Sequence, residues 1–215
     1  EAAPTQQQDL SEADLTVVLC TCHRPDSAQM IIQHLRGLHV PRIWAWADGP
    51  EAPAVEGVDN LVRSSQCVGP LIRWTFALAA PTEWVLIQDD DAFLDVEGLS
   101  ALLAAARREP TGMYALCGRI GTDFGGPDGG MIFSHKVNHD TPVDIVLPGY
   151  GCLVRKDTLL KALQGAQPFR FMPYEHQRFS DNRIVSFGLY MQTGVRPVVV
   201  QTPAPGYLLH QDHSQ

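Results

Sequence analysis

Asp89, Asp90 and Asp91 stand side by side in the segment EWVLIQDDDAF. Three carboxylates in a row repel one another unless a cation or ordered hydrogen bonds offset the charge. A hard divalent cation such as Mg²⁺ or Mn²⁺ takes oxygen ligands and keeps waters and substrate phosphates in its other positions. The triplet directly follows an apolar run, so it lies at the edge of a core rather than in a plain solvated turn. Strand alternation would send Asp89 and Asp91 to one side and Asp90 to the other. Two more polar clusters follow apolar runs in the same way: Thr21-Cys22-His23-Arg24 after LTVVLC, and Asp48-Gly49 after RIWAWA. The pair Cys20-x-Cys22 lacks a second pair at zinc spacing, so Cys20, Cys22, Cys117 and Cys152 read as small buried thiols.

The elements that must position these groups alternate. Leu15–Cys20, Arg42–Ala47 and Glu83–Gln88 read as strands buried on both faces, and Trp44, Trp46 and Trp84 inside them read as core. Helical spacing covers Ser27–Leu38, Pro70–Ala79 (with Pro at its first turn) and Val96–Arg108, which stops before Pro110. Residues 50–60 read as a loop. Met113–Cys117 is a fourth strand. The second half is less regular. It has a glycine-rich loop over 118–130, short strands at Met131–Ser134, Val143–Val146 and Gly151–Val154, and a helix at Lys156–Leu163. A second helix spans Asp181–Thr193, ended by Gly194, and a last strand covers Val195–Gln201. Such alternation implies an α/β fold with a mainly parallel sheet covered by helices on both faces. In such sheets ligands sit beyond the carboxyl ends of the strands, where all three polar clusters fall.

The chain has 215 residues, roughly 1.4 times a common domain length of about 150. Residues 1–14 are polar and aperiodic and read as a flexible N-terminal arm; residues 15–215 read as one domain. The formal net charge of −8 argues against a nucleic-acid or anionic-membrane binder, though not against a local phosphate site. No apolar run reaches the roughly 18 residues of a membrane span, and no secretory leader is visible. The chain opens on Glu1 rather than Met, which implies a removed upstream piece. Five cysteines in a chain large enough to bury a core read as free thiols in a reducing compartment, hence a cytoplasmic protein.

The order TVVLCTCHRP, IWAWADGP, a helix carrying Arg73, and EWVLIQDDDAF resembles the nucleotide-sugar-binding half of GT-A fold glycosyltransferases. DIVLPGYGCLVRKDTL is similar to their acceptor-side loop and strand. FSDNRIVSFGLYMQTGVRPVVV is similar to their acidic motif at a helix start. The resemblance covers roughly residues 15–212. It is to family 2-like enzymes, with some likeness to exostosin-like family 64 domains in the triplet and the late Asp helix. It implies a single-domain GT-A (Rossmann-like) sheet, with a nucleotide-sugar half at 15–117 and an acceptor half at 118–215.

The resemblance also implies roles. The turn from Thr21 to Arg24 and Asp48 would contact the nucleoside, and Arg73 would counter diphosphate charge. Asp89 would lean toward ribose or sugar, Asp91 would bind Mn²⁺ or Mg²⁺ with His210 completing the metal site, and Asp90 lies between those roles. Gly149, Tyr150 and Gly151, with Asp144 nearby, would face the acceptor. Asp181 would act on the acceptor or on the developing sugar cation, unless it only caps its helix. The family often has Glu-Asp where this chain has Ser180-Asp181, so Asp181 carries that role alone or Glu175 substitutes.

The implied activity is metal-dependent transfer of a sugar from a nucleoside diphosphate sugar to a hydroxyl on a glycan, lipid or protein. Two other readings compete. A sugar-phosphate nucleotidyltransferase would show a glycine-rich signature with Arg and Lys after the first strand, which TCHRPD lacks. A non-catalytic carbohydrate-binding or scaffold domain on the same fold would tolerate loss of Asp91 and Asp181.

Overall fold

The computed structural model of the chain describes residues 10–52, 54–121, 130–167 and 181–203, and the backbone of 207–208. Ser180, Glu175 and His210, the core of the glycine-rich loop, and most of the N-terminal arm lie outside the described residues.

The first half follows the expected alternation. Strand β1 (Leu15–Thr21) leads to helix α1 (Pro25–Gly37), β2 (Ile43–Ala47) and β3 (Asn60–Arg63), then α2 (Leu71–Ala77) and β4 (Trp84–Asp89). A short β5 (Ala92–Phe93) precedes α3 (Val96–Arg108), which Asp95 caps by accepting from the Gly98 N–H at 2.6 Å. β6 (Met113–Ala115) and β7 (Cys117–Arg119) follow, then β8 (Met131–Phe133), β9 (Thr141–Pro142), β10 (Ile145–Val146) and β11 (Cys152–Arg155). Helices α4 (Lys156–Gly165) and α5 (Asp181–Thr193), β12 (Val198–Val199) and β13 (Tyr207–Leu208) complete the order.

The main sheet has eight strands in the order β3-β2-β1-β4-β11-β6-β12-β9. The pairing senses make six of them point one way, with β11 and β9 reversed. The architecture is therefore mixed α/β with a mostly parallel sheet, as the element order implied. β1 lies between β2 and β4, so the strand order turns back at that point. This is the crevice where open α/β sheets take ligands.

Alternation along the strands builds two cores. Leu15, Val17 and Leu19 of β1, Leu86 of β4 and Leu153 of β11 pack under α1 and α3, against Ile31, Leu35, Leu99 and Leu102. Val18, Val85, Ile87, Cys152 and Val154 face the other way, against Trp74 of α2, Leu159 and Ala162 of α4, and Val185 and Leu189 of α5. This parity places Asp89, two residues past Ile87, on the α2 and α5 side.

The seating of α5 depends on two glycines. A Cβ on Gly165 would lie 2.0 Å from the Gly188 carbonyl oxygen, and one on Gly188 would lie 2.1 Å from that of Ala162. The backbones of α4 and α5 touch there, and this contact sets how closely α5, which starts at Asp181, lies against α4.

The structure departs from several sequence expectations. β3 starts at Asn60, the last residue of the stretch read as loop, and runs on through residues given no element in the sequence. It is a four-residue edge strand, only partly buried, so it carries little hydrophobic pattern. Its start is held by Asp59, which accepts from the Ile43 N–H at 2.7 Å. The expected strand Met113–Cys117 is split at Leu116. β6 stays in the main sheet, while β7 joins β8 and β10 in a separate three-stranded sheet. Trp84 is buried, but Trp44 and Trp46 are only partly so and pack against Phe76. All five cysteines lack disulfide partners, yet only Cys117 and Cys152 are buried; Cys20, Cys22 and Cys67 are part-exposed. Leu10 is buried, and its carbonyl accepts from Arg107. Among the described residues no helix is long and apolar enough to cross a membrane.

Candidate functional site

A cavity of about 300 Å³ opens beyond the carboxyl ends of β1, β2 and β4. Cys20, Cys22, His23 and Arg24 line it from β1 and its exit, Asp48 from the exit of β2, and Asp89 and Asp90 from the end of β4. Cys67, Gly69, Pro70 and Arg73 close it from the segment that leads into α2. Of the residues singled out in the sequence, Arg24, Asp48, Arg73, Asp89 and Asp90 thus share one space. Thr21 is buried at the end of β1 and does not line it.

The aspartate triplet does not follow strand alternation. β4 ends at Asp89, and Asp90-Asp91 form the turn into β5. Asp89 therefore faces α2, where Arg73 Nη1 donates to its Oδ1. Asp90 and Asp91 share Arg24 instead: its Nη1 donates to Asp91 Oδ2 and lies 3.5 Å from Asp90 Oδ1. Burial pushes the Asp90 carboxyl above the ordinary aspartate range, and the adjacent Asp91 charge adds to that push. The strand end thus carries more negative charge than the core tolerates, and a guanidinium already stands between two of its carboxylates.

Arg73 is the hub of a buried ion network. Its Nη2 donates to Asp181 Oδ2 at 2.8 Å and to Asn182 Oδ1 at 3.1 Å. Trp74 Nε1 donates to the same Asp181 oxygen at 2.8 Å. The Arg73 and Asp181 side chains are each 5% exposed. Arg73 Nε is buried and has no hydrogen-bond partner among the described residues. Arg73 thus joins the β4 end to the start of α5, where Asp181 lies 108 residues beyond the arginine itself. Trp74 and Asn182 were not expected in the site. Their only signal in the sequence was position, each being next to a residue that was.

Asp48 is buried, and both its oxygens are engaged. Oδ1 accepts from Val68 N–H at 2.9 Å and Trp46 Nε1 at 3.3 Å. Oδ2 accepts from Gly69 N–H at 2.8 Å and from the Cys67 thiol at 3.2 Å. Burial alone would raise its pKa; the Val68 and Gly69 amides, then Cys67 and Trp46, outweigh burial and hold it below the ordinary range. Asp48 thereby pins the turn that leads into α2.

A folded-state pKa below the unfolded one stabilises the protein above the ordinary value of about 3.9. That contribution is lost as pH falls through the folded-state value. Asp48→Asn is expected to cost about 2–3 kcal/mol above pH ~5, the scale of hydrogen bonds to a charged group. Urea unfolding of both proteins across pH should show that gap shrinking below pH ~4. A gap that stays constant with pH would assign the loss to packing instead.

In the segment expected to face an acceptor, Pro148–Tyr150 form a 3₁₀ turn ahead of β11. Gly149 faces the triplet, since a Cβ there would lie 3.4 Å from Asp89 Oδ2. Burial, then the Cys117 and Asp91 charges, push the Tyr150 hydroxyl up to about 12. Gly151 has φ +106°, a conformation that favours glycine. Asp144 lies apart from the cavity lining: its Oδ2 accepts from Gly121 N–H at 2.7 Å, and its Oδ1 is 3.4 Å from Arg196 Nη1. β13 pairs with β5, bringing Leu208 beside Ala92, just past the triplet.

No family model matches the chain, and no curated protein matches it at a significant level. Solved structures do. A crystal structure of residues 1–349 of Staphylococcus aureus TarS, a glycosyltransferase, superposes with TM-score 0.58 at 14% identity, over 91% of this chain and 60% of that one. A second TarS crystal structure gives TM-score 0.60 at 14% identity, over 92% of this chain and 37% of that one. The chain has a glycosyltransferase-like fold. It spans less than two thirds of the length of either TarS chain.

Proposed function

We propose that this chain is a metal-dependent glycosyltransferase that moves a sugar from a nucleoside diphosphate sugar to an acceptor hydroxyl, using a GT-A site of the family 2-like kind. The observation that carries this reading is the Arg73 network. It joins the aspartate strand end to Asp181 beside a cavity at the sheet's turning point, on a glycosyltransferase-like fold.

The donor enters with its nucleoside toward Asp48 and its diphosphate toward Arg73. The thiol of Cys67 is the weakest of the four donors on Asp48, so a base N–H replaces it on Oδ2. The buried Nε–H of Arg73, without a partner among the described residues, suits a phosphoryl oxygen. The carboxylate oxygens of Asp91 suit Mn²⁺ or Mg²⁺, and Arg24 marks a place where positive charge is already held between Asp90 and Asp91. Such an ion, when bound, offsets charge on the leaving diphosphate. Asp91 would hold it, with the diphosphate and His210 as further ligands.

Asp181 is the candidate base for the acceptor hydroxyl if configuration inverts; if it is retained, Asp181 orients the acceptor beside the oxocarbenium-like centre. Gly149 and Tyr150 border that side of Asp89, and Gly151 sets their turn. Acceptors in this reading are glycans, lipids or proteins bearing a free hydroxyl.

Calorimetric titration with a panel of nucleoside diphosphates tests the reading. A metal-dependent binding isotherm with Mn²⁺, followed by slow hydrolysis of one matching nucleotide sugar, is the expected result. No binding of any nucleoside diphosphate in the presence of Mn²⁺ overturns it. Binding of a matching nucleotide sugar without hydrolysis or transfer selects the non-catalytic alternative.

A further inference from the structure

Asp48 brings two thiols together. The Cys22 thiol donates to the Asp48 carbonyl oxygen at 3.0 Å, and the Cys67 thiol donates to Asp48 Oδ2 at 3.2 Å. The two sulfurs and a carboxylate oxygen all lie within 4.8 Å of one another. All three residues line the same cavity, and neither cysteine is in a disulfide. They arrive from three separate segments, because β1, β2 and β3 run parallel as neighbours and their chain exits meet at one edge.

We infer that Cys22, Asp48 and Cys67 form a binding site for a thiophilic divalent cation of the zinc type, with its fourth position open to the cavity. Two thiolates and a carboxylate match zinc's preference for sulfur, nitrogen and oxygen in a tetrahedron, and three protein ligands leave one position for water or an incoming group. Mn²⁺ and Mg²⁺ prefer oxygen alone, so this site is distinct from the ion proposed at Asp91.

Binding exchanges protons for metal. The Cys67 thiol proton now occupies a lone pair of Asp48 Oδ2, and its departure frees both that lone pair and the sulfur. Cys22 loses its proton likewise. Two S–H bonds break, two S–Zn bonds form, and both protons pass to solvent or buffer, so affinity rises with pH. Cys20 lies outside this group, and burial pushes its thiol up to about 12.

Zinc on Asp48 would compete with the base N–H proposed for Oδ2 in the same cavity, so metal and donor exclude one another there, and the test is run without nucleotide and reads only metal and thiols. Reduced protein held without oxygen is titrated with Co²⁺ and then Zn²⁺. The expected result is a thiolate-to-cobalt charge-transfer absorption at one equivalent per chain, bleached by Zn²⁺ and strengthening with pH. Cys22→Ser and Cys67→Ser should each remove that band and weaken zinc binding at least tenfold, and Cys20→Ser should leave both unchanged. Should a serine variant fail to fold, alkylation of the wild-type chain followed by mass spectrometry serves instead: Zn²⁺ should slow modification of Cys22 and Cys67 together. Absence of a thiolate band in the wild type, its survival in both variants, or zinc-independent alkylation overturns the inference. So does a Cys22–Cys67 disulfide forming in air while the reduced chain takes up no zinc; that outcome marks a redox pair.

Discussion

Replacing Arg73 with methionine should destabilise the protein by about 3–5 kcal/mol, the loss seen when one partner of a buried ion pair is removed. At roughly 2–4 °C per kcal/mol for a chain of this size, thermal unfolding should show a drop of roughly 6–20 °C. Methionine keeps most of the side chain's apolar stem, so the loss reports charge rather than a cavity. Asp181 bears most of the effect because it is buried, whereas Asp89 is 33% exposed and water can take up part of its charge. The decisive comparison is the double variant. Asp181→Asn in the Arg73→Met background removes the stranded charge, and it should recover a large part of the lost stability. If the two single losses simply add, the network is not a unit, and Arg73 acts through packing alone.

Asp181→Asn in the otherwise unchanged chain should act on the chemistry instead. An amide oxygen can still accept from Arg73 and Trp74, so the start of α5 keeps its place. The charge that would take an acceptor proton is gone. Loss of a general base commonly lowers turnover by 10²–10⁴-fold, and that range is expected for sugar transfer here. Nucleoside diphosphate affinity in the presence of Mn²⁺ should change little, because the role proposed for Asp181 is at the acceptor and Asp181 does not line the cavity proposed for the donor. A drop of this size in kcat with a near-constant donor Kd supports the assignment. Unchanged turnover would make Asp181 a structural cap held by Trp74, and equal losses in affinity and turnover would move it to the donor side. The zinc inference predicts neither outcome, so the two sets of measurements stand apart.

The main elements were legible in the sequence because burial imposes period. LTVVLC, RIWAWA and EWVLIQ are apolar on both faces because they become central strands, and α3 matches the predicted Val96–Arg108. Asp48 and the triplet were found by the same logic, since polar residues right after a buried strand have only the sheet edge to occupy. β3 was missed because an edge strand with one paired neighbour needs no strong pattern. The side on which Asp91 falls was misread because alternation stops where β4 stops, and the hydrogen-bonded length of a strand depends on its neighbours. Cys67 left no signal, and Trp74 only its place beside Arg73. Their importance lies in proximity to Asp48 and Asp181, across 19 and 107 residues of chain respectively.

By itself, then, the sequence determined the layered α/β fold, the parallel run of strands in its first half and the carboxyl edge where chemistry belongs. These follow from local rules of burial and period that each segment obeys alone. Only the tertiary structure decided the pairings at that edge: Arg73 between Asp89 and Asp181, Arg24 between Asp90 and Asp91, and two cysteines around Asp48. Such partners are chosen by which strand lies beside which and by how closely α4 and α5 pack through Gly165 and Gly188. Neither is written in the spacing of residues along the chain.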